Sequence, residues 1–114
     1  MLKIYHNPRC SKSRQTLALL EEKGVKVEII EYLKSAPSVA ELGQVLSALD
    51  ITPRELLRTK EAEYKLAGLD DEALSDYEII AKMVAHPKLI ERPIVINGKK
   101  AAIGRPPESV LEIL

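Results

Sequence analysis

The sequence has no tryptophan, no phenylalanine, one cysteine and no net charge. With four tyrosines as its only large aromatic side chains, the interior has to be built from Leu, Ile, Val and Ala. The single cysteine, Cys10, excludes an internal disulfide and leaves a thiol-ligated zinc site without partners. The 17 basic and 17 acidic residues cancel, which removes the positive field that sequence-independent nucleic-acid binding needs. We therefore expect neither a bound metal nor nucleic acid as a direct ligand.

Long hydrophobic runs are also missing. No apolar stretch approaches the roughly 20 residues of a membrane-spanning helix. The polar stretch His6–Arg9 follows the N-terminus almost at once, too soon for a signal peptide. We therefore expect a cytoplasmic protein with no membrane partner. With 114 residues, 46% of them hydrophobic and 30% charged, the chain is expected to fold as one domain over residues 1–114.

The first third of the chain predicts a strand, a helix and a second strand. Leu2–Tyr5 is a short apolar run that leads into a loop with Pro8. Helical spacing begins at Ser11 and stops at Gly24, where a left-handed C-terminal cap is expected. Val25–Tyr32 alternates apolar with polar residues and then runs apolar, at a separation suited to a βαβ unit. The two strands are therefore expected to pair in parallel.

Three capping signatures predict helices in the middle of the chain. Ser38, Thr52 and Ser75 each precede a glutamate by three residues, which is the pattern of a capping box. The last of these helices is expected to stop before Pro87. Thr59–Leu74, between the second and third helices, is interpreted as a charged connector with a glycine break.

The C-terminal part returns to strands. Pro93–Ile96 and Ala101–Ile103 predict an antiparallel hairpin, because Asn97-Gly98 between them is a strong two-residue turn signal. Gly104–Pro107 then leads into Glu108–Leu114, which predicts a short helix with proline in its first turn.

This order of elements, β-α-β, helices and then β-β-α, favours an α/β domain of the thioredoxin/glutaredoxin-like class. We expect a four-stranded mixed sheet. A helical insertion, about residues 36–90, is expected between the N-terminal βαβ half and the C-terminal ββα half.

Cys10 lies where the first strand has ended and the first helix begins. The free N–H groups and the positive dipole end of a helix start stabilise a thiolate, and the same donors hold an oxyanion. Arg9, Lys12 and Arg14 add positive charge, so we expect the pKa of Cys10 to fall below that of a free thiol. The alternative is a small buried structural cysteine. The stretch from His6 to Arg14 contains no large apolar side chain, which argues against that alternative.

Ser13 stands where a Cys-x-x-Cys pair would have its second thiol. Release through an intramolecular disulfide is therefore excluded. The Ser13 hydroxyl is either a hydrogen-bond donor to a thiolate or bound oxyanion, or an ordinary polar residue of a first helical turn. His6 is either a cationic partner that favours the thiolate or a solvated loop histidine.

Arginine is followed by proline twice, at Arg92 and Arg105. In thioredoxin-like folds the residue just before the third strand is a cis-proline that faces the thiol, so Pro93 would place Arg92 beside Cys10. A planar guanidinium suits a tetrahedral oxyanion because it donates two parallel hydrogen bonds. The alternative for Arg92 is a surface arginine at a strand end, and the alternative for Arg58 is a cation at a helix C-terminus.

Three stretches together resemble the glutathione/glutaredoxin-dependent arsenate reductase family: Tyr5–Arg14, His86–Val95 and Gly104–Glu108. The likeness covers essentially the whole chain. That family has a nucleophilic cysteine after an Asn-Pro loop, and three arginines hold its oxyanion. The matching positions are Cys10 for the nucleophile, Arg58, Arg92 and Arg105 for the arginines, His6 for a histidine thought to assist the thiolate, and Ser13 for a nearby hydroxyl.

The resemblance implies a covalent mechanism. The Cys10 thiolate would attack arsenate with loss of water, and the arginines would stabilise the charge of the arsenic adduct. Glutathione, as co-substrate, would displace a second oxygen, and a glutaredoxin would remove the mixed product as arsenite leaves. This route suits a protein with no resolving cysteine, and it implies no bound cofactor.

Other functions remain open at this point. Related thioredoxin-fold proteins act as regulators that bind RNA polymerase, although they usually keep a Cys-x-x-Cys switch that Ser13 removes here. A thiol oxidoreductase acting on another oxyanion or on a mixed disulfide is a second alternative. A monothiol glutaredoxin with an iron–sulfur cluster is a third, but its Cys-Gly-Phe-Ser loop is replaced by Cys10–Ser13. The sequence favours an enzyme over a regulator.

Overall fold

The computed structural model describes residues 2–114, and the chain divides into two units. The first unit contains the N-terminal residues up to Ser35 together with Arg92–Leu114. The second unit is Ala36–Glu91, which compares with a predicted insertion of about residues 36–90. The interpretation of the whole chain as a single domain stays a prediction.

The first unit is built on a four-stranded mixed sheet. Its strands, in the order β2-β1-β3-β4, are connected in sequence as β-α-β and then β-β. β1 pairs in parallel with β2 and antiparallel with β3, and β3 pairs antiparallel with β4. The predicted sheet is therefore confirmed, with these bounds: β1 Leu2–Tyr5, α1 Ser11–Glu22, β2 Val27–Ile30, β3 Ile94–Asn97 and β4 Lys100–Ile103.

Two boundaries differ from the prediction. β2 is shorter than Val25–Tyr32, because its partner β1 offers only four residues to pair with. The hairpin loop is Gly98-Lys99 rather than Asn97-Gly98, since Asn97 pairs with Lys100 at the end of the ladder. Gly98 has a φ of 61°, which is the positive value that a type II′ turn requires at its first central position.

The C-terminal helix is a 3₁₀ helix over Pro107–Ile113. Its buried residues are Pro107, Val110 and Ile113. A spacing of three places these side chains on one face of a helix with three residues per turn, whereas an α-helix would spread them. This period of three is the physical reason for the difference from an α-helix.

The core of the first unit is aliphatic, as the composition requires. Leu20 of α1 and Val110 of the 3₁₀ helix are fully buried against Ile4 and Val95 of the sheet. Each of these side chains gains roughly 1.5–3 kcal/mol from leaving water. This packing fixes α1, and with it the residue at its start, relative to the strands.

The second unit is helical: α2 Val39–Leu49, α3 Pro53–Leu56, α4 Ala62–Leu66, α5 Asp76–Ala85 and a 3₁₀ helix Pro87–Leu89. The three predicted capping boxes are confirmed, because Ser38, Thr52 and Ser75 each accept from the backbone N–H three residues on. α4 was missed by the sequence reasoning. It has no buried residue and so no apolar stripe to reveal it. Among residues 2–114, no helix is both long and apolar enough to cross a membrane.

Candidate active site

Cys10 is the N-cap residue of α1. The loop that precedes it, His6–Arg9, is called the thiol loop from here on. The Cys10 N–H donates to the Asn7 carbonyl at 3.0 Å, and the Cys10 carbonyl accepts the first helical hydrogen bond from Arg14 at 3.0 Å. The residue is 9% exposed. Its sulfur is therefore held at the helix start, as the sequence predicts, with little contact to solvent.

Five contributions set the pKa of Cys10. Burial of the side chain raises this pKa, while the backbone N–H of Ser13, which donates to the sulfur, lowers it. Arg92 lowers it further by its charge and by a side-chain hydrogen bond, and the backbone N–H of Lys12 adds another donor. The stabilising contributions outweigh burial, so the pKa of Cys10 lies below its ordinary value. The site therefore favours a thiolate.

Two arginines meet at this sulfur. Arg105 Nη2 lies 3.7 Å from Cys10 Sγ, and Arg105 Nε donates to the Arg92 carbonyl at 2.8 Å. Both Arg-Pro peptide bonds are cis, including the one at Pro93 where the thioredoxin-like interpretation expects it. Arg92 and Arg105 thus come together with Cys10, in an arrangement able to neutralise an anion bound at the sulfur.

Gly104 lets the end of the hairpin pass close to Thr16 and Pro93. Its N–H donates to the Pro93 carbonyl at 2.9 Å, which ties the end of the hairpin to its beginning. A Cβ atom on Gly104 would lie 2.5 Å from Thr16 Oγ1 and 2.7 Å from Pro93 Cγ. Only glycine fits between these two side chains without displacement. The sequence signal that could have revealed this is a glycine directly before an Arg-Pro pair.

Ser13 and His6 form a buried pair behind the thiol. Ser13 Oγ accepts from the Asn7 N–H at 3.0 Å and lies 2.6 Å from His6 Nδ1. Ser13 is fully buried, so it differs from an ordinary exposed residue of a first turn. Its backbone N–H supports the Cys10 thiolate, while its hydroxyl binds the thiol loop. The Asn7 contribution was not foreseen from the sequence.

His6 is 6% exposed and is not a solvated loop histidine. Burial lowers the pKa of His6, the Glu31 carboxylate raises it, and the Arg14 guanidinium lowers it. The net lowering favours a neutral imidazole near pH 7, so a cationic partner for the thiolate is disfavoured. A catalytic role for His6 or for Ser13 stays a prediction.

Arg58 lies in the second unit, just beyond α3. Its N–H donates to the Leu89 carbonyl at 2.8 Å, and its Nη2 lies 3.6 Å from Glu61 Oε1. Its Nη1 is buried and has no hydrogen-bond partner among residues 2–114. A ligand could use this donor, and the assignment of Arg58 to oxyanion binding stays a prediction.

The described residues contain no group of three or more His, Cys, Asp or Glu side chains placed to hold a metal ion. A single activated thiol at the start of α1, on a β2-β1-β3-β4 sheet, defines a thioredoxin-like protein with a one-cysteine site. The chain belongs to the ArsC family, whose model matches residues 5–113.

Three similar proteins illustrate this membership. An arsenate reductase of Haemophilus influenzae is 55% identical to this chain, over 97% of this chain and 97% of the relative. The protein YfgD of Escherichia coli (strain K12) is 54% identical, over 99% of this chain and 96% of the relative. The solved structure of an arsenate reductase from Vibrio cholerae has a TM-score of 0.96 and 53% identity, over 99% of this chain and 97% of that one. The predicted fold class and family are confirmed.

Proposed function

We propose that this protein is an arsenate reductase that works through a covalent Cys10 adduct and takes its electrons from glutathione and a glutaredoxin. The observation that carries the proposal is the Cys10 sulfur at the start of α1, with Nη2 of the Arg105 guanidinium 3.7 Å from it. A thiolate is the nucleophile, and a fixed cation beside it stabilises the charge that develops on a tetrahedral oxyanion. The name of the Haemophilus influenzae relative supports arsenate as that oxyanion.

The first step forms a sulfur–arsenic bond. Cys10 Sγ attacks arsenic(V), and one arsenate oxygen leaves as water after taking up protons. Arg92 and Arg105 hold the remaining oxygens. Arg58 stands at the position of the family's third oxyanion-binding arginine, and by this resemblance it would donate to the same oxyanion. Arsenic keeps its oxidation state in this step.

Reduction follows in the later steps. A glutathione thiolate displaces a second oxygen, again as water, so that arsenic carries two sulfur substituents. The thiolate of a glutaredoxin then attacks the glutathione sulfur, which forms a mixed disulfide and leaves the electron pair of the broken S–As bond on arsenic. A water molecule then displaces Cys10 from arsenic(III), so that arsenite is released and Cys10 returns as a thiolate. Two thiols are oxidised to one disulfide for each arsenic reduced by two electrons.

External thiols are needed because Ser13 replaces a resolving cysteine and no other cysteine is present in the chain. A cytoplasmic location fits this chemistry, since glutathione and thioredoxin systems keep thiols reduced there.

The test is oxidation of glutathione that depends on arsenate, with glutaredoxin added, and followed through a glutathione reductase couple. The wild-type protein is expected to be active, and Cys10→Ser inactive with an unchanged circular dichroism spectrum, because a hydroxyl is far less acidic than a thiol and the groups that contact the Cys10 sulfur are hydrogen-bond donors rather than bases. Activity of Cys10→Ser near the wild-type level would overturn the covalent mechanism. Turnover of a glutathione mixed disulfide without any response to arsenate would instead support the thiol oxidoreductase alternative.

A further inference from the structure

A small cavity lies beside the thiol loop, on the side of the segment that follows β2. We propose that this cavity binds the γ-glutamyl end of glutathione, the end that carries an α-amino and an α-carboxylate group. The inference rests on the proposed function, because glutathione is the co-substrate there. It adds a binding site, made of this chain's own residues, to that function.

The cavity has a volume of about 230 Å³ and is lined by the thiol loop, Glu31, Leu33 and Lys34. It lies next to the backbone of Cys10, because Asn7, one of its lining residues, accepts the Cys10 N–H through its carbonyl at 3.0 Å. Most ligand pockets measure roughly 300–1,000 Å³, so this one suits one end of a tripeptide and leaves the cysteinyl part outside it. The cysteinyl part of a peptide held here is expected to lie outside the cavity, beside the thiol loop that precedes Cys10.

The charges of the lining match an amino-acid terminus. Arg9 and Lys34 provide two cations for a carboxylate, and Glu31 provides one carboxylate for an ammonium group. The glycyl end of glutathione has a carboxylate only, so it would leave Glu31 facing no ligand cation. The pattern of signs therefore selects the γ-glutamyl end.

The ion pair between Lys34 and Glu31 in the cavity wall can be replaced by contacts to a ligand at little cost. Lys34 Nζ lies 3.6 Å from Glu31 Oε1, with side chains 79% and 43% exposed. Exposed ion pairs of this kind contribute little to stability, so turning them toward a ligand costs little. Leu33, which is 41% exposed, would be covered by the bound peptide.

Calorimetric titration with S-methylglutathione, which cannot react, measures this binding directly at 0.15 M salt. We expect Lys34→Glu to raise the dissociation constant about three- to tenfold, because it replaces one of the two cations with an anion. Lys26→Glu is the matched control, with the same charge change at an exposed lysine just before β2. It stands about 16 Å along the strand from Glu31, beyond the screening length of about 8 Å. Equal effects of Lys34→Glu and Lys26→Glu, or no binding to the wild type, would overturn the inference.

Two truncated ligands identify the end that is bound. γ-Glutamyl-S-methylcysteine is expected to retain most of the affinity, and S-methylcysteinylglycine to lose at least about tenfold, because only the first carries the amino-acid terminus. The reverse order would overturn the assignment.

Arsenate protection of Cys10 against iodoacetamide, without glutathione, tests the proposed function separately. Protection without S-methylglutathione binding overturns only this site. Binding without protection overturns arsenate as the substrate.

Discussion

Arg105 Nη2 lies 3.7 Å from Cys10 Sγ although 95 positions separate the two residues in the sequence. The hairpin of β3 and β4 brings them together, because Gly104 at its end is hydrogen-bonded to Pro93 at its beginning. Arg105 Nε also donates to the Arg92 carbonyl at 2.8 Å, so the side chain of one arginine is held against the backbone of the other. The anion-binding side of the site is therefore a property of the sheet, and the nucleophile is a property of the helix.

We predict that Cys10 is alkylated as a thiolate below the ordinary thiol pKa of about 8.5. Burial raises the pKa of Cys10, but the Ser13 N–H, Arg92 and the Lys12 N–H together lower the pKa by more than burial raises it. The rate of iodoacetamide alkylation, measured against pH, should have its midpoint below that value. Arg92→Gln should move the midpoint upward, since it removes the charge and the hydrogen bond. A wild-type midpoint at or above about 8.5 would contradict thiolate stabilisation.

We predict that Arg92→Lys and Arg105→Lys each cost about 2 kcal/mol in kcat/KM for arsenate, a loss of roughly thirtyfold. Lysine keeps the charge but lacks the planar fork that donates two parallel hydrogen bonds to an oxyanion. The matched control is Arg54→Lys, an arginine whose Nη atoms donate to the Leu69 and Asp71 carbonyls. Losses no larger than that of the control would mean that only charge matters.

A pair of glycine variants tests the close approach at the site. Gly104→Ala should lower the free energy of unfolding by about 1–3 kcal/mol, because its Cβ would overlap Thr16 and Pro93. It should also reduce activity by displacing Arg105. Gly43→Ala in α2 meets nothing within 4 Å and should raise the free energy of unfolding by about 0.5–1 kcal/mol. Denaturant titrations measure both, and equal stability of the two variants would refute the steric argument.

We predict that His6 makes the folded protein less stable as the pH falls. The pKa of His6 is lowered from 6.5 in the fold, so below pH 6.5 the unfolded chain binds more protons than the folded one. This contribution is complete above pH 6.5 and is lost as the pH falls through the folded value. The melting temperature between pH 7.5 and 5.5 should fall less in His6→Asn than in the wild type, on a scan of about 0.5 pH unit per point.

The matched control for that scan is His86→Asn. His86 is the only other histidine of the chain, and its side chain is exposed. A His6→Asn slope equal to that of the wild type would mean that the pKa of His6 is the same in the folded and the unfolded chain.

Local signals in the sequence were sufficient for much of the fold. Capping residues such as Ser38 and Ser75 act within one helical turn, so their helices were predictable from short stretches. The C-terminal helix Pro107–Ile113 is a 3₁₀ helix, a type that the sequence pattern did not predict. Its buried residues are spaced by three, and over a short segment this spacing is hard to tell from the three-or-four spacing of an α-helix. α4 escaped notice because it buries no side chain.

The candidate site was predictable only in part. The position of Cys10 follows from the strand–helix junction, which is local. The Ser13–His6 contact and the Gly104–Thr16 approach depend on how distant backbone segments pass each other, and no residue pattern encodes a distance of that kind. Arg92 was inferred only through the expected fold, with Pro93 as the guide.

Tyr5 directly precedes the thiol loop, and Tyr32 lies between Glu31 and Leu33, two residues that line the cavity. Both are buried, and their ring centroids are 6.4 Å apart with planes tilted by 37°. Since the chain has no tryptophan, its aromatic emission and near-ultraviolet dichroism come from four tyrosines, of which these two are buried. The two buried tyrosines thus give the protein an intrinsic optical reporter beside the loop that precedes its reactive thiol.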